Sequence, residues 1–313
     1  MAESDRAVDE LIHSLAGAVT LESLPQVVDV LREPPPNPPE IIQAQFVGAS
    51  YVIAYAEAAS FVRVADEWSN KHRKRGLASA DRVIDFGSGW GRVSRILLTH
   101  VAPAKLYALD VNLEMTTFVN STLPGVNALT VSPFPPTVLR DGVVDAILAF
   151  SVFSHLSPES HKAWAEEFGR ILGPSGMVFL TLLDRALFDQ VRATRDAVEG
   201  GSTDAFALSL SQCFPDLDEA RTGYDAGEPA YAGMGGGGVL TGDYYGWAAV
   251  PPEFMARVWG EAGFDVVEWV PSGTLFPQAM VGLVKRPVGD QSGAKTGRAR
   301  RFWRSWRSWR RQD

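Results

Sequence analysis

A glycine-rich segment between two carboxylates is the part of the sequence best suited to hold a ligand. It reads DFGSGWGR over residues 85–92, and Asp110 follows Asp85 by 25 positions. Alternating glycines allow a tight turn and let a ligand approach the backbone closely. If a helix begins there, its free N–H groups suit an anionic group. The segment therefore predicts a ligand-binding strand-to-helix turn.

The spacing also separates the possible ligands. A dinucleotide loop needs a small residue three positions after Gly89, where this chain has Arg92, and no P-loop motif occurs. A carboxylate two positions before the first glycine repels a pyrophosphate but suits the ammonium group of a methionine moiety. Asp110, at the end of a predicted strand, suits both hydroxyls of a ribose. The pattern favours S-adenosylmethionine and disfavours an NAD oxidoreductase.

Two residues after predicted strands are candidates for acid–base chemistry. His155 follows the predicted fourth strand and Asp184 ends the fifth, where strand ends open onto the ligand crevice in such sheets. A neutral His155 could deprotonate a hydroxyl group, and it could equally be a packing residue. Asp184 could act as a base or cap the following helix. Both are predicted as catalytic candidates.

A second candidate group lies in a glycine-rich stretch. Aromatic rings beside an acid suit stacking on a sugar or on another flat or ring-shaped acceptor, or they anchor the stretch onto the core. The predicted substrate-binding residues are Asp243, Tyr244, Tyr245 and Trp247. His161 is predicted to be a solvated helix residue. No H-x-x-x-H motif occurs, so no metal site is predicted.

Strands and helices alternate around these residues, which predicts an α/β fold with a mostly parallel sheet. Strands are predicted at 82–86, 105–110, 127–131, 144–150, 177–183, 264–270 and 279–284, and helices at 90–99, 113–122, 159–172 and 251–262. An N-terminal helical extension with a Pro-rich linker occupies 1–40, and another helix is expected over 41–75. The predicted catalytic domain spans 41–286. Within it, residues 198–250 break the alternation and are predicted to be an inserted lid or substrate region.

Composition limits the partners. The net charge is −8, but residues 285–313 hold ten Lys/Arg and two Asp, which leaves 19 basic and 35 acidic residues, a charge of −16, in residues 1–284. An acidic body makes nucleic acid an unexpected partner. Cys213 is the only cysteine, and the acidic start of the chain lacks a secretory pattern. The expected location is the cytoplasm.

The basic tail, residues 287–313, is amphipathic if it is helical. It reads RARRFWRSWRSWRR over 298–311, with Phe302, Trp306 and Trp309 on one side and arginines opposite. This pattern is typical of segments that lie on an anionic membrane surface. Binding of RNA or an anionic glycan, or a disordered terminus, are the alternatives. The prediction is peripheral contact with the inner face of the membrane.

Three segments carry a resemblance to a family: VIDFGSGWGRVSRIL, AFSVFSHLSPESHKAWAEEFGRILGPSG and FPQAMVGLVKR. From about residue 41 to 286 the chain resembles the class I S-adenosylmethionine-dependent methyltransferases, and more narrowly a bacterial branch linked to polysaccharide and glycan pathways. The resemblance implies a Rossmann-like seven-stranded sheet with a reversed last strand, flanked by helices. It also implies S-adenosylmethionine as the methyl donor and no metal requirement.

The resemblance further implies which residues contact the cofactor. Asp85 and the loop glycines would line the methionine end, and Asp110 would hold the ribose beside Val111 at the adenine. Many relatives have an Asp after the third strand for the adenine amine; here Ser132 or the backbone must serve. The whole predicted set is Asp85, Gly87, Ser88, Gly89, Gly91, Arg92, Asp110, Val111, Ser132, Phe150 and Ser151.

The leading functional hypothesis is methyl transfer to an oxygen of a sugar or glycan-related acceptor, where the glycan part rests on the resemblance. A small-molecule methyltransferase of secondary metabolism is the alternative among enzymes. A non-catalytic S-adenosylmethionine-binding scaffold protein is the alternative from another class.

Overall fold

The computed structural model describes residues 37–47 and 50–287. The predicted helix within residues 5–32 and the amphipathic segment 298–311 lie outside the described residues. In the described part, the expected helix over 41–75 comprises α1 (Glu40–Val47) and α2 (Tyr51–Arg73).

Seven strands form one sheet in the order β3-β2-β1-β4-β5-β9-β8. Strand β1 runs parallel to β2 and β4, and β2 runs parallel to β3. The last strand, β9, is antiparallel to both β5 and β8. The predicted Rossmann-like sheet with a reversed last strand is therefore confirmed. Its strands are β1 (Val83–Phe86), β2 (Leu106–Asp110), β3 (Asn127–Thr130), β4 (Val144–Ala149), β5 (Leu172–Leu182), β8 (Phe264–Val270) and β9 (Ala279–Lys285).

Helices follow the strands much as the sequence predicts. Every residue of β1 is buried, as expected for a strand covered on both faces. The helices are α3 (Arg92–Leu97), α4 (Leu113–Thr122), α5 (Pro158–Ile171), α6 (Ala186–Glu199), α7 (Ala205–Ser211), α8 (Leu217–Asp225) and α9 (Pro252–Glu261).

The chain divides into two compact units. The first contains the residues up to Val131 together with Val144–Phe150. In this unit, Asp145 on β4 accepts hydrogen bonds from the Arg73 guanidinium at 3.1 Å and from the backbone N–H of Asp81 at 2.9 Å. These bonds attach the C-terminal end of α2 to β4. The first unit carries the glycine loop.

The second unit contains Ser132–Val143 and the residues from Ser151 onward. The predicted insertion, 198–250, lies within it and is built of elements rather than open loop. After the end of α6 come α7, α8 and an antiparallel pair, β6 (Ala230–Ala232) and β7 (Trp247–Ala249). These elements share a buried cluster that includes Phe188, Leu210 and Tyr224.

The prediction that His161 is a solvated helix residue is wrong. His161 is 1% exposed on α5. Its Nε2 accepts a hydrogen bond from the Trp259 indole N–H at 2.8 Å. Burial lowers the pKa of His161 to about 3, so the ring is neutral in the folded protein. The partner on α9 is 98 positions away and gives no local sequence signal.

Candidate functional site

The glycine loop in the first unit is held against the end of β2. The backbone N–H groups of Gly87 and Ser88 both donate to the Leu109 carbonyl, at 2.8 and 3.0 Å. Gly89 and Gly91 have φ angles of 51° and 87°, which L-residues adopt only with strain. The alternating glycines therefore give the loop its path, as predicted.

Gly89 also brings Asp110 to the loop. Its N–H donates to Asp110 Oδ2 at 2.8 Å, while the other carboxylate oxygen accepts from the Asn112 N–H at 2.8 Å. A Cβ added at Gly89 would meet no atom within 4 Å, so the loop borders open space there. Burial raises the pKa of Asp110, opposed by these N–H donors. The two backbone bonds fix the orientation of a carboxylate that retains lone pairs for a further partner.

Asp85 is the most buried acid of the loop. It is 1% exposed, and the Ser94 hydroxyl donates to its Oδ2 at 2.6 Å. Burial raises the pKa of Asp85 to about 6, although the hydrogen bonds from Ser94 oppose the shift. A cation beside this carboxylate would favour its ionised form.

Ser88 has an unused polar group. Its side chain is 5% exposed, and its Oγ has no hydrogen-bond partner within the described ranges. A buried hydroxyl without a partner is costly unless a ligand completes it. Together with the open space at Gly89, this hydroxyl fits a polar ligand such as the amino-acid end of S-adenosylmethionine.

Arg92 faces a partner that the sequence analysis missed. Its guanidinium donates to Glu57 Oε2 at 3.0 Å and lies 4.3 Å from the ring centre of Phe150. Burial lowers the pKa of Arg92, and the nearby Glu57 carboxylate opposes that shift. Arg92 thus links α2 to the loop, and its predicted contact with a cofactor stays a prediction.

The other predicted cofactor residues differ in exposure. Val111 is half-buried next to Asp110, and Phe150 is half-buried with its ring 5.0 Å from that of Phe61. Ser132 is exposed, and its Oγ accepts from the Phe134 N–H at 3.4 Å. Their roles at the cofactor stay predictions.

Ser151 belongs to a hydrogen-bond network in the second unit. Its φ angle is 58°, an uncommon value for serine. The Ser151 N–H donates to Thr181 Oγ1 at 2.7 Å, and the Thr181 hydroxyl donates to Gln278 Oε1 at 2.6 Å. The Gln278 amide then donates to Ser151 Oγ at 2.8 Å. The network holds Ser151 in its unusual conformation.

His155 lies among the predicted substrate residues. The segment 154–157 pairs with 244–248, and Tyr245 stacks on the imidazole at 5.0 Å with an interplanar angle of 18°. Its Nδ1 is 2.7 Å from the Gly246 carbonyl, so Nδ1 carries the proton and Nε2 the lone pair. Burial lowers the pKa of His155, which keeps it neutral near pH 7. This is the tautomer that a general base needs.

The Asp184 carboxylate is held by two backbone N–H groups. Its Oδ1 accepts from the Ala186 N–H at 3.0 Å, and its Oδ2 accepts from the Ser272 N–H at 2.9 Å. The structure thus agrees with the helix-capping alternative, and both oxygens already have partners. Asp243 is exposed, and Tyr244 is buried with its hydroxyl donating to the Val239 carbonyl at 2.7 Å.

The loop and the strands around it match a known family model. Residues 84–180 match a methyltransferase domain. This match supports the predicted methyltransferase activity and S-adenosylmethionine as its cofactor. No curated protein sequence matches the chain.

Solved structures of methyltransferases resemble the fold. The magnesium protoporphyrin IX methyltransferase of Synechocystis, with bound S-adenosylhomocysteine, is 13% identical and covers 75% of this chain and 86% of its own, with a TM-score of 0.46. An S-adenosylmethionine-dependent methyltransferase of Clostridium acetobutylicum is 12% identical over 74% and 92%, with a TM-score of 0.48. The CurJ carbon methyltransferase is 13% identical over 90% and 71%, with a TM-score of 0.49. At such scores these likenesses carry no argument about the acceptor.

Among the described residues, no group of three or more His, Cys, Asp or Glu side chains is arranged to hold a metal ion. Likewise, none of the helices in the described part of the chain is long and apolar enough to span a bilayer.

Proposed function

We propose that the chain is an enzyme that transfers a methyl group from S-adenosylmethionine to an oxygen atom of an acceptor. The observation that carries the proposal is the pairing of the Gly89 N–H with Asp110 beside open space at the glycine loop. Asp85 supplies a buried carboxylate for the ammonium group, and Ser88 supplies an unpaired hydroxyl. Asp110 is the partner for the ribose hydroxyls.

For the acceptor, we propose that His155 acts as the general base. When bound, S-adenosylmethionine supplies a methyl carbon that the acceptor oxygen attacks, while the carbon–sulfur bond breaks to a neutral thioether. His155 Nε2 has the free lone pair that receives the hydroxyl proton, because Nδ1–H is committed to Gly246. General-base catalysis of this kind contributes about 100- to 10,000-fold in rate.

For the class of acceptor, the resemblance of the sequence to glycan-pathway methyltransferases favours a sugar or glycan-related hydroxyl. The aromatic rings beside His155 suit any ring-shaped acceptor. A small-molecule acceptor of secondary metabolism is the competing form.

Calorimetry with S-adenosylmethionine tests the cofactor half. Asp110→Ala removes a charged hydrogen-bond acceptor, so we expect about a tenfold or larger loss of affinity. Asp81→Ala, an exposed carboxylate of the same unit, is the matched control and should bind as the wild type does. Equal binding by wild type and Asp110→Ala would exclude the proposed pocket.

Methyl transfer from radiolabelled S-adenosylmethionine tests the catalytic half on a panel of hydroxylated acceptors. His155→Gln should lower the turnover rate about 100-fold or more while S-adenosylmethionine affinity stays unchanged. Binding without turnover on any acceptor favours the scaffold alternative.

We also propose that residues 298–311 contact an anionic membrane surface, on the sequence pattern alone. Sedimentation with anionic liposomes tests this, because a chain lacking 287–313 should lose the binding. Equal binding by the two chains contradicts it.

A further inference from the structure

A continuous row of six aromatic rings crosses the second unit. Neighbouring ring centres lie 5.5, 4.9, 5.0, 6.4 and 5.5 Å apart along it. We call this set the aromatic row, and it consists of Phe206, Trp247, His155, Tyr245, Tyr244 and Phe134. His155, the proposed base, therefore lies within the aromatic row and not at one of its ends.

The two ends of the aromatic row are open to solvent. Phe206 is 56% exposed and Phe134 is 44% exposed. Between them, Trp247, His155 and Tyr245 are half-buried, and Tyr244 is buried at 4% exposure. The accessible part of the row, from Phe206 to Tyr245, is a surface that a ligand can cover.

The polar atoms of the row are largely committed within the protein. The Tyr244 hydroxyl donates to Val239, and His155 Nδ1 donates to Gly246. The Trp247 indole N–H has Ser209 Oγ as its partner at 3.5 Å, a long hydrogen bond. A sugar needs many hydrogen-bond partners, whereas this surface mainly offers ring faces and edges. Asp243 is the exposed acid beside it.

We infer that the aromatic row binds an acceptor with a flat aromatic ring that bears a hydroxyl group, rather than a sugar. The inference rests on the proposed function and names its substrate class. Ring stacking on Tyr245 and Trp247 supplies the contact, and His155 Nε2 is the ring nitrogen that the bond from Nδ1 to Gly246 leaves with its lone pair. One hydroxyl on an otherwise apolar ring matches one free acceptor atom.

Direct binding to the full chain tests the inference without requiring turnover. The probes are 2-naphthol and methyl α-D-glucopyranoside, each titrated by calorimetry. We expect 2-naphthol to bind, with an affinity about fivefold or more lower in Trp247→Leu and in Phe206→Ser. Phe206 is more than half exposed, so its substitution leaves the fold intact even if Trp247→Leu destabilises it. Leu275→Ser changes an exposed leucine outside the row and should bind as the wild type does.

Asp243→Asn separates the two substrate classes. It should weaken 2-naphthol binding less than Trp247→Leu does, because ring stacking does not require the carboxylate. The inference is overturned if 2-naphthol fails to bind, or if the row variants bind it as the wild type does. It is also overturned if the glucoside binds and Asp243→Asn weakens that binding. S-adenosylmethionine titration of the same samples reports separately on the proposed function.

Discussion

The affinity for S-adenosylmethionine should depend on the ionisation of Asp85. Burial raises the pKa of this carboxyl to about 6 from its ordinary value of 3.8. Between these two pH values the folded protein holds a proton that the unfolded chain has lost, so Asp85 lowers stability as pH rises through this window. Above pH 6 the full pKa shift lowers the free energy of unfolding by about 3 kcal/mol. An ammonium group beside Asp85 offsets that cost by favouring the carboxylate.

Binding below pH 6 must therefore release the proton from Asp85. With a pKa near 6, about one tenth of the sites are ionised at pH 5, so affinity should fall about tenfold between pH 7 and pH 5. The amino group of the ligand stays protonated over this range, because α-amino groups titrate near pH 8. The pH dependence thus reports on the protein.

Calorimetry at pH 5 to 7, in two buffers of different ionisation enthalpy, measures both the affinity for S-adenosylmethionine and the number of protons released on binding. Near pH 6 about half a proton should be released for each S-adenosylmethionine bound. Asp85→Asn should bind more weakly and lose most of the pH dependence, and any remainder belongs to Asp110, whose pKa burial also raises. An affinity that is flat from pH 5 to 7, with no proton release, would refute the reasoning.

Three further predictions concern stability, each measured by urea unfolding. Because His161 has a pKa of about 3 when folded and 6.5 when unfolded, stability should be unaffected by this group above pH 6.5. Below pH 6.5 the contribution of His161 to stability should fall by about 1.4 kcal/mol per pH unit. The difference in unfolding free energy between the wild type and His161→Gln should change by that amount, because the opposite contribution of Asp85 is common to both proteins. Gln278→Met should cost about 2 kcal/mol, because it breaks the bonds to both Thr181 and Ser151, and Thr181→Val should add little to it. Glu57→Ala should cost about 3 kcal/mol by leaving Arg92 buried without its carboxylate partner, and Arg92→Met in that background should restore part of the loss.

The path of the glycine loop and the elements around it were predictable because their signals are local. The loop and Asp110 fall within 26 consecutive residues, and two successive strand-to-helix connections place them together. Closely spaced glycines indicate such a loop in the sequence, and in the structure these glycines have positive φ angles. Helix α4 was predicted at its exact bounds, and its N-cap, Asn112, is a residue type that favours that position.

Partners that are distant in sequence could not be predicted. Gln278 is 127 positions from Ser151, and Trp259 is 98 positions from His161. Both pairs depend on the antiparallel β9 and on α9, which return the end of the chain to residues near its middle. Glu57 is similar, because a glutamate on a helix looks like a solvated residue until Arg92 is placed beside it.

The segment around His155 shows why composition alone does not predict which ligand a surface suits. Tyr244, Tyr245 and Trp247 beside Asp243 have the composition of a sugar platform. Whether they act as one depends on where their polar atoms point, and that is set by the pairing of 244–248 with 154–157. In this pairing the Tyr244 hydroxyl and His155 Nδ1 donate to backbone carbonyls, so neither is available to a sugar hydroxyl. The same residues therefore favour a flat acceptor over a sugar once their hydrogen bonds are assigned.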